Sequence, residues 1–147
     1  MIEIINNQRK IKISTEDFQE SAERIFESVS EAEGKTATVA FVSDRKMREL
    51  NKLFRGSDST TDVLSFSFQS DKFENPDVFL DENNLGDIII SVEQAARQAR
   101  ENDLDLDTEI KQLILHGVLH LCGYDHETDS GVMNALELKL RDKLKIA

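Results

Sequence analysis

The sequence predicts an α+β fold, in which a mixed sheet of about four strands is covered by four to five helices. Short β-rich apolar segments alternate with longer segments whose apolar residues recur at helical spacing. Helical segments separate the early strands, which favours parallel pairs, whereas the strand-loop-strand unit at 62–91 could pair antiparallel. The length of 147 residues is typical of one domain, here spanning 1–147, and allows burial of about two thirds of the unfolded surface.

The first third of the chain predicts strands and one helix. Residues 2–6 and 10–13 are typical of short strands, and residues 36–43 of an interior strand. Residues 14–17 (Ser-Thr-Glu-Asp) resemble a capping box that opens a helix, which Gly34 is expected to end. The apolar stripe of that helix is Phe18, Ala22, Ile25, Phe26 and Val29.

A basic helix is predicted over residues 44–55. We expect Met47, Leu50 and Phe54 to face inward and the charged residues to face outward. Five cations and two acids give the segment a local charge of +3; the cations are Arg45, Lys46, Arg48, Lys52 and Arg55. Such a run is ordinarily a solvated helix face.

The middle of the chain predicts a strand followed by a long loop. Residues 56–61 form a polar loop, and residues 62–69 alternate apolar side chains with serines, as a strand does. Residues 69–84 form the longest irregular stretch and include Pro76. A loop this long in a compact domain is either functional or mobile, and we expect a mobile surface loop with a short hairpin through 78–80.

The rest of the chain is predicted to be mainly helical. Residues 86–91 form a buried strand, and residues 91–94 cap a helix that runs to about Glu101. Residues 103–107 are interpreted as a linker, and Thr108 as the start of the next helix. A final helix over residues 130–145 packs Met133, Leu136, Leu140 and Leu144.

Composition indicates a cytosolic protein without general affinity for nucleic acid. The chain is 39% hydrophobic and 32% charged, and no apolar run approaches the roughly 20 residues that cross a bilayer. Residues 1–6 lack the basic lead and apolar core of a signal peptide, and a lone Cys122 cannot form an internal disulfide. The net charge of −11 argues against general affinity for nucleic acid, because acidic proteins repel phosphate. We expect neither DNA nor a membrane as a partner.

All three histidines fall within residues 113–126. The stretch opens as an apolar run with helical spacing, so His116 and His120 lie on one helix face. Gly123 provides a left-handed exit, after which the chain can bring His126 over the same face. A single histidine on an apolar helix is ordinarily a core residue. Three in this pattern favour a tetrahedral metal such as zinc, with one position left for water or substrate.

A three-histidine zinc site predicts hydrolysis, because the ion acidifies bound water and polarises a carbonyl or phosphoryl oxygen. Helical zinc peptidases read H-E-x-x-H, in which the glutamate is the general base. Here Gly117 follows His116 and cannot accept a proton, which argues against proteolysis. We expect Gly117 to let another segment approach close to the metal. Three imidazoles also suit nickel and similar ions, so the identity of the ion stays open.

Other polar residues near the histidines are weaker candidates. Asp125 and Glu127 flank the third histidine and could orient a ligand imidazole, although Glu127 fits an exposed loop acid equally well. Cys122 falls on the opposite side of the helix, which favours a small buried thiol over a fourth ligand. Arg55, at a helix end beside a glycine turn, could clamp a phosphate bidentately; the alternative is a surface arginine that complements the helix dipole.

The segment His-Gly-Val-Leu-His-Leu-Cys-Gly-Tyr-Asp-His at 116–126 resembles the signature of the YbeY family, bacterial rRNA maturation factors described as single-strand-specific metallo-endoribonucleases. The resemblance extends over about residues 40–140. Further matching blocks, in the expected order, are residues 49–51, 54–56, 61–66 and 86–91, with Met133 and Glu137 on the last helix.

This resemblance implies a zincin-like metal helix within an α+β fold. It implies one zinc ion per chain, bound by His116, His120 and His126, and it places the family's functionally important arginine at Arg55. It further implies endonuclease action on single-stranded RNA in 16S rRNA 3′ end maturation and ribosome quality control. The implied partners are rRNA and the ribosome or its small subunit.

Three functions are compatible with these residues. In the leading hypothesis the protein cleaves RNA: the zinc polarises the scissile phosphate or activates water, and Arg55 clamps the phosphate. The nucleophile is either water or a ribose 2′-hydroxyl. In the alternative, the chain is a ribosome assembly factor whose zinc is mainly structural; the absent base at Gly117 and the acidic composition keep this alternative open. Hydrolysis of a peptide or amide would require a carboxylate within reach of the metal-bound water.

Overall fold

The computed structural model describes residues 1–68, 83–125 and 130–147. Its strands are β1 (Ile2–Asn6), β2 (Thr36–Val42), β3 (Val63–Ser67) and β4 (Asn84–Ser91). Its α-helices are α1 (Thr15–Ser28), α2 (Asp44–Arg55), α3 (Val92–Glu101), α4 (Leu106–Leu121) and α5 (Val132–Leu144), with a 3-10 turn at Ser30–Ala32. This architecture confirms the predicted α+β class.

The four strands form one mixed sheet in the order β1-β2-β4-β3. β1 pairs with β2 and β2 with β4 in parallel, whereas β3 pairs antiparallel with β4. Both kinds of pairing agree with the sequence, since helices separate the parallel partners. β3 therefore lies at one edge of the sheet, with Ser65 opposite Ile88. In the described ranges no helix is both long and apolar enough to span a membrane.

The helix α4 is the centre of the larger core. It is buried on nearly all sides, because α1, α3, α5 and the strands β3 and β4 all pack against it. Ile110, Ile114, Leu115 and Leu119 are fully buried. Each such side chain contributes about 1.5–3 kcal/mol of hydrophobic stabilisation. The position of α4 is thus determined by packing and not by a flexible connection.

A smaller core holds α2 against the other face of the edge strand. Met47 is fully buried and packs with Val42 and Leu64, as the predicted inward face requires. Leu50 is only partly buried at this core. The prediction is wrong for Phe54, whose side chain is 59% exposed.

The structure corrects the expectations for the N-terminal segment. Residues 10–13 are not a strand, because the Gln8 side chain satisfies the backbone of Ile11 on both sides, donating to its carbonyl (2.7 Å) and accepting from its amide (3.0 Å). Ser14 is the N-cap of α1 but makes no side-chain capping bond, so the capping box is wrong. α1 ends at Ser28, well before Gly34.

Two further boundaries differ from the prediction. Residues 103–107 are only partly a linker, because Asp105 caps α4 by accepting from the Thr108 amide at 2.7 Å and the helix begins at Leu106. By contrast, Ser91 caps α3 as predicted, accepting from the Gln94 amide. The hairpin expected at 78–80 lies outside the described residues, as does most of the stretch 69–84.

Asp44 joins the start of α2 to the end of β4. Its carboxylate accepts hydrogen bonds from Ser91 (2.6 Å), Thr60 (3.1 Å) and the Arg97 guanidinium. Burial alone would raise the pKa of Asp44, but these three hydrogen bonds and the charge of Arg97 lower it below its usual value. The network orients α2 relative to the sheet.

Gly117 lets α4 lie close to the sheet. A Cβ atom at this position would lie 2.7 Å from Ile88 Cγ2 and 3.0 Å from Ile88 Cδ1. Another segment does approach α4 closely at this position, and the neighbour is the fully buried Ile88 of β4; the expected proximity to a metal ion stays a prediction. The advantage of closer packing offsets the low helix propensity of glycine.

Replacing Asp44 by asparagine is expected to weaken the fold in a pH-dependent way. Because folding lowers the pKa of Asp44, the carboxylate stabilises the folded state above its usual pKa of 3.8, and this contribution is lost as the pH falls through the lowered folded-state value. Thermal unfolding of Asp44→Asn should show a lower midpoint than wild type at pH 7 and converge with it in acid. The exposed acid Asp17, replaced by asparagine, is the control. An Asp44→Asn deficit that does not change with pH would contradict this account.

Gly117→Ala is expected to destabilise the protein although alanine favours helices. Overpacking costs about 1–3 kcal/mol, against about 1 kcal/mol gained in helix propensity. Urea unfolding should show a net loss that is partly relieved when Ile88→Ala is introduced in the same chain. A gain in stability for the single variant would show that Ile88 does not restrict this position.

Candidate metal centre

The two helix histidines converge on one point. His116 and His120 occupy successive turns on the same face of α4, and their Nε2 atoms lie 3.1 Å apart. The rings are nearly perpendicular, with an interplanar angle of 74°. Two nitrogens bound to one tetrahedral zinc at about 2.0–2.1 Å would lie about 3.4 Å apart. The pair therefore fits the spacing of two ligands of one small cation.

A buried carboxylate lies behind His116. Glu137 of α5 places its Oε1 and Oε2 at 3.3 and 3.4 Å from the Nδ1 of His116, and its side chain is only 10% exposed. A proton on Nδ1 is consistent with this acceptor and leaves the Nε2 lone pair directed at His120. Metal-binding histidines commonly have a carboxylate in this position, where it fixes the ring and its tautomer.

The charge of Glu137 is stabilised from two sides. Burial would raise the pKa of Glu137, but the hydrogen bond from His116, together with the Arg141 guanidinium at 3.3 Å, lowers it. Glu137 is therefore a carboxylate in the folded protein. Arg141, one turn further along α5, is therefore more than a solvated surface charge.

The third predicted ligand is not among the described residues. His126 and Glu127 both fall within residues 126–129, outside the described part of the chain. In the part that is described, no group of three or more histidine, cysteine or acidic side chains is close enough to hold a metal ion. The structure thus brings two of the three predicted imidazoles together, and the complete ligand set stays a prediction.

The histidine pair opens into a cleft of about 620 Å³. One side of the cleft is α4 and the turn that follows it, where Gly123 adopts φ +96° and the chain leaves the helix. The opposite side is formed by β3 and the end of α2, including Arg55. A substrate could therefore contact the two histidines and Arg55 at the same time.

Arg55 is positioned by a glycine turn. Gly56, with φ +70°, ends α2, and the next amide, of Ser57, donates to the carbonyl of Asn51 at 3.3 Å. The side chain of Asn51 is buried and donates to the Ser59 carbonyl at 2.9 Å, which fixes the following loop. Arg55 then extends to the edge strand, where its Nη2 donates to the Ser65 carbonyl at 3.4 Å.

The alternation of β3 gives the cleft a polar wall. Side chains of a strand point alternately to opposite faces. Val63, Ser65 and Ser67 line the cleft, whereas Phe66 packs toward α2. Ser65 and Ser67 thus line the same cleft as Arg55, and hydroxyl groups can donate to an anionic ligand.

The turn after α4 is tied to the N-terminal part of the chain. The Tyr124 hydroxyl donates to Glu31 at 3.0 Å, and this bond raises the pKa of Tyr124. Cys122 packs against the larger core, and burial raises the pKa of its thiol to about 11. A half-buried, protonated thiol is consistent with the predicted structural role. Asp125 lies at the surface of the cleft.

Sequence reasoning missed several members of the cleft. The acceptor on His116 is Glu137, 21 residues away on another helix, whereas the sequence pointed to Asp125 and Glu127 as residues that orient a ligand ring. Spacing gives no signal for such a contact; the resemblance named Glu137 as a match on the last helix but gave it no role. Asn51, Ser65 and Ser67 were likewise assigned no role, because alternating serines are typical of any half-exposed strand.

The fold and the cleft define a class of α+β proteins in which a buried helix presents two histidines beside an edge strand. Within this class, the chain belongs to the YbeY family. The family model described as "Endoribonuclease YbeY" matches residues 3–145.

Individual relatives agree with the family match over nearly the whole chain. A Syntrophotalea carbinolica protein named endoribonuclease YbeY is 40% identical over 149 aligned residues, covering 99% of this chain and 96% of its own. A Clostridioides difficile protein of the same name is 37% identical, and the alignment covers 96% of this chain and 94% of the relative. The solution structure of a Thermotoga maritima protein superposes with a TM-score of 0.65 at 29% identity, covering 98% of this chain and 89% of the other.

Proposed function

We propose that this protein is a zinc-dependent endoribonuclease that cleaves single-stranded RNA. The relatives named endoribonuclease support the reaction, and the resemblance supports a role in 16S rRNA 3′ end maturation and ribosome quality control, in the cytoplasm. The observation that carries the proposal is the convergence of His116 and His120 Nε2 within 3.1 Å, opposite Arg55 in one open cleft.

The chain's own residues have separate tasks in this proposal. His116, His120 and His126 hold one zinc ion per chain, and Glu137 fixes the ring of His116 through Nδ1. When bound, the ion supplies an acidified water and polarises a phosphoryl oxygen. Arg55 binds the non-bridging oxygens of the scissile phosphate bidentately.

The environment of the cleft favours phosphate over a peptide. Ser65 and Ser67 line the cleft together with Arg55, so it offers hydroxyl and guanidinium donors to anionic oxygens. Position 117 carries no carboxylate, unlike the corresponding position in helical zinc peptidases. Arg55 places a cation of α2 in this cleft although the net charge of the chain is −11.

The second candidate is a ribosome assembly factor with a mainly structural zinc. Gly117, which cannot act as a base, is the observation that favours it. The two candidates predict different results for wild-type protein: only the first predicts that purified, zinc-loaded protein cleaves a single-stranded RNA free of ribosomes.

Protein purified without a histidine tag is expected to contain one zinc ion per chain by elemental analysis. Glu137→Gln should weaken zinc binding roughly 10–100-fold in competition with a chelator, because the His116 ring loses the carboxylate that orients it. Asp142→Asn, an exposed acid on the same helix, should bind zinc like wild type. Equal zinc affinity in wild type and Glu137→Gln would remove Glu137 from the site.

Arg55→Ala is expected to lower kcat/KM for RNA cleavage by about 10²-fold while zinc content and folding stay unchanged. Arg55→Lys should recover only part of the loss, since lysine cannot bind phosphate bidentately. Arg45→Ala is a matched control on the same helix, because the side chain of Arg45 is 92% exposed. Wild-type rates in Arg55→Ala would refute the phosphate clamp.

A further inference from the structure

An aromatic side chain beside the phosphate clamp is exposed to solvent. Phe54 directly precedes Arg55 in the last turn of α2, and 59% of its surface is accessible. It was expected to face inward, but the last turn of α2 extends past the small core that Met47 fills. Leu53 is also exposed, at 74%. Exposed apolar residues are common singly, so the position and the contacts of Phe54 must carry the argument.

The ring of Phe54 rests on the edge strand of the sheet. It meets Phe66 edge to face, with ring centroids 5.1 Å apart and an interplanar angle of 65°. Phe66 lies between Ser65 and Ser67, both of which line the cleft from the opposite face of β3. The ring is therefore held across a single edge strand from the candidate metal centre, with much of its surface open.

Two cations share the last turn of α2 with this ring. Lys52 and Arg55 lie within the same turn of α2, and neither forms an ion pair within 4 Å in the described part of the chain. By contrast, Arg48 is held by Asp58 at 2.8 Å. An open aromatic face on a helix end that carries cations is a combination with which proteins bind single-stranded nucleic acid, because each base has a flat face and each nucleotide carries a charge.

We propose that Phe54 stacks on an unpaired base of the RNA, one nucleotide away from the phosphate bound by Arg55. The inference rests on the function proposed above and adds the residue that selects single strands. Bases in a duplex are stacked on both sides and cannot present a face to Phe54, so the platform favours RNA that is not paired. Phe66 supports the ring of Phe54 through their edge-to-face contact and does not itself touch the base.

The charge around the ring argues for RNA over a protein partner. A docking surface for another protein would use the apolar area of Leu53 and Phe54 together, and its affinity would depend on both. A stacking platform uses only the aromatic ring. Leu53, which is adjacent and more exposed, is therefore a matched control within the same helical turn.

The first experiment measures the affinity of zinc-loaded protein for a short labelled single-stranded RNA by fluorescence anisotropy at fixed salt. Phe54→Ala should raise Kd roughly tenfold, in the range found when stacking aromatic residues are removed. Phe54→Trp should bind like wild type, and Phe54→Leu, which keeps an apolar contact with Phe66, should not recover binding. Leu53→Ala should leave Kd unchanged. Thermal unfolding of each variant verifies that it is folded.

A second experiment tests stacking itself, with RNAs that lack one base at successive positions. At the position that stacks, removal of the base should raise the Kd of wild type but not that of Phe54→Ala. The variant and the abasic RNA together should then lose no more affinity than either change alone. Equal losses for Leu53→Ala and Phe54→Ala, or a loss in Phe54→Ala that is the same for every RNA, would overturn the proposal. If wild type neither binds nor cleaves RNA, the proposed function fails. If wild type cleaves RNA and Phe54→Ala binds equally well, only the stacking inference fails.

Discussion

The close contact between α4 and the sheet is the constraint on which the rest of the structure depends. Gly117 allows the helix backbone to approach Ile88 more closely than any other residue would permit. That approach buries the apolar face of α4 on the side of β4 and leaves His116 and His120 on the side that opens to the cleft. The same packing that stabilises the fold thus fixes where two imidazoles meet.

The cleft is assembled from elements that are distant in sequence. α4 contributes the histidines, α5 contributes Glu137, the end of α2 contributes Arg55, and β3 contributes the serines. A separate local feature positions each element. The core surrounds α4, Glu137 joins α5 to His116, the turn at Gly56 ends α2, and pairing with β4 fixes the register of β3. A site supported by rigid elements needs little reorganisation when a ligand binds, which favours catalysis.

Local patterns in the sequence predicted most of the architecture. Apolar periodicity identified α2 and α4, the serine cap located the start of α3, and the interposed helices indicated the parallel pairs. The strand predicted at residues 10–13 does not form, because the side chain of Gln8 binds the backbone groups of Ile11 that a neighbouring strand would have paired. A β-rich composition does not indicate that a nearby side chain will bind the backbone in place of a strand.

The functional site was only partly predictable for a related reason. Helical spacing sufficed to place His116 and His120 together, because both belong to one helix. Glu137 and Phe54 depend on how separate elements pack: one is carried to His116 by α5, and the other is left exposed because α2 extends beyond its small core. Contacts of this kind are properties of the tertiary structure.

X-ray absorption spectroscopy at the zinc edge of untagged protein would test the central claim most directly. A site built on His116, His120 and His126 predicts a first shell of imidazole nitrogens and one water oxygen, without sulfur. Addition of a phosphate-containing RNA analogue should then alter the oxygen contribution. A shell closed by four protein side chains, or a protein that carries no metal ion, would contradict the account.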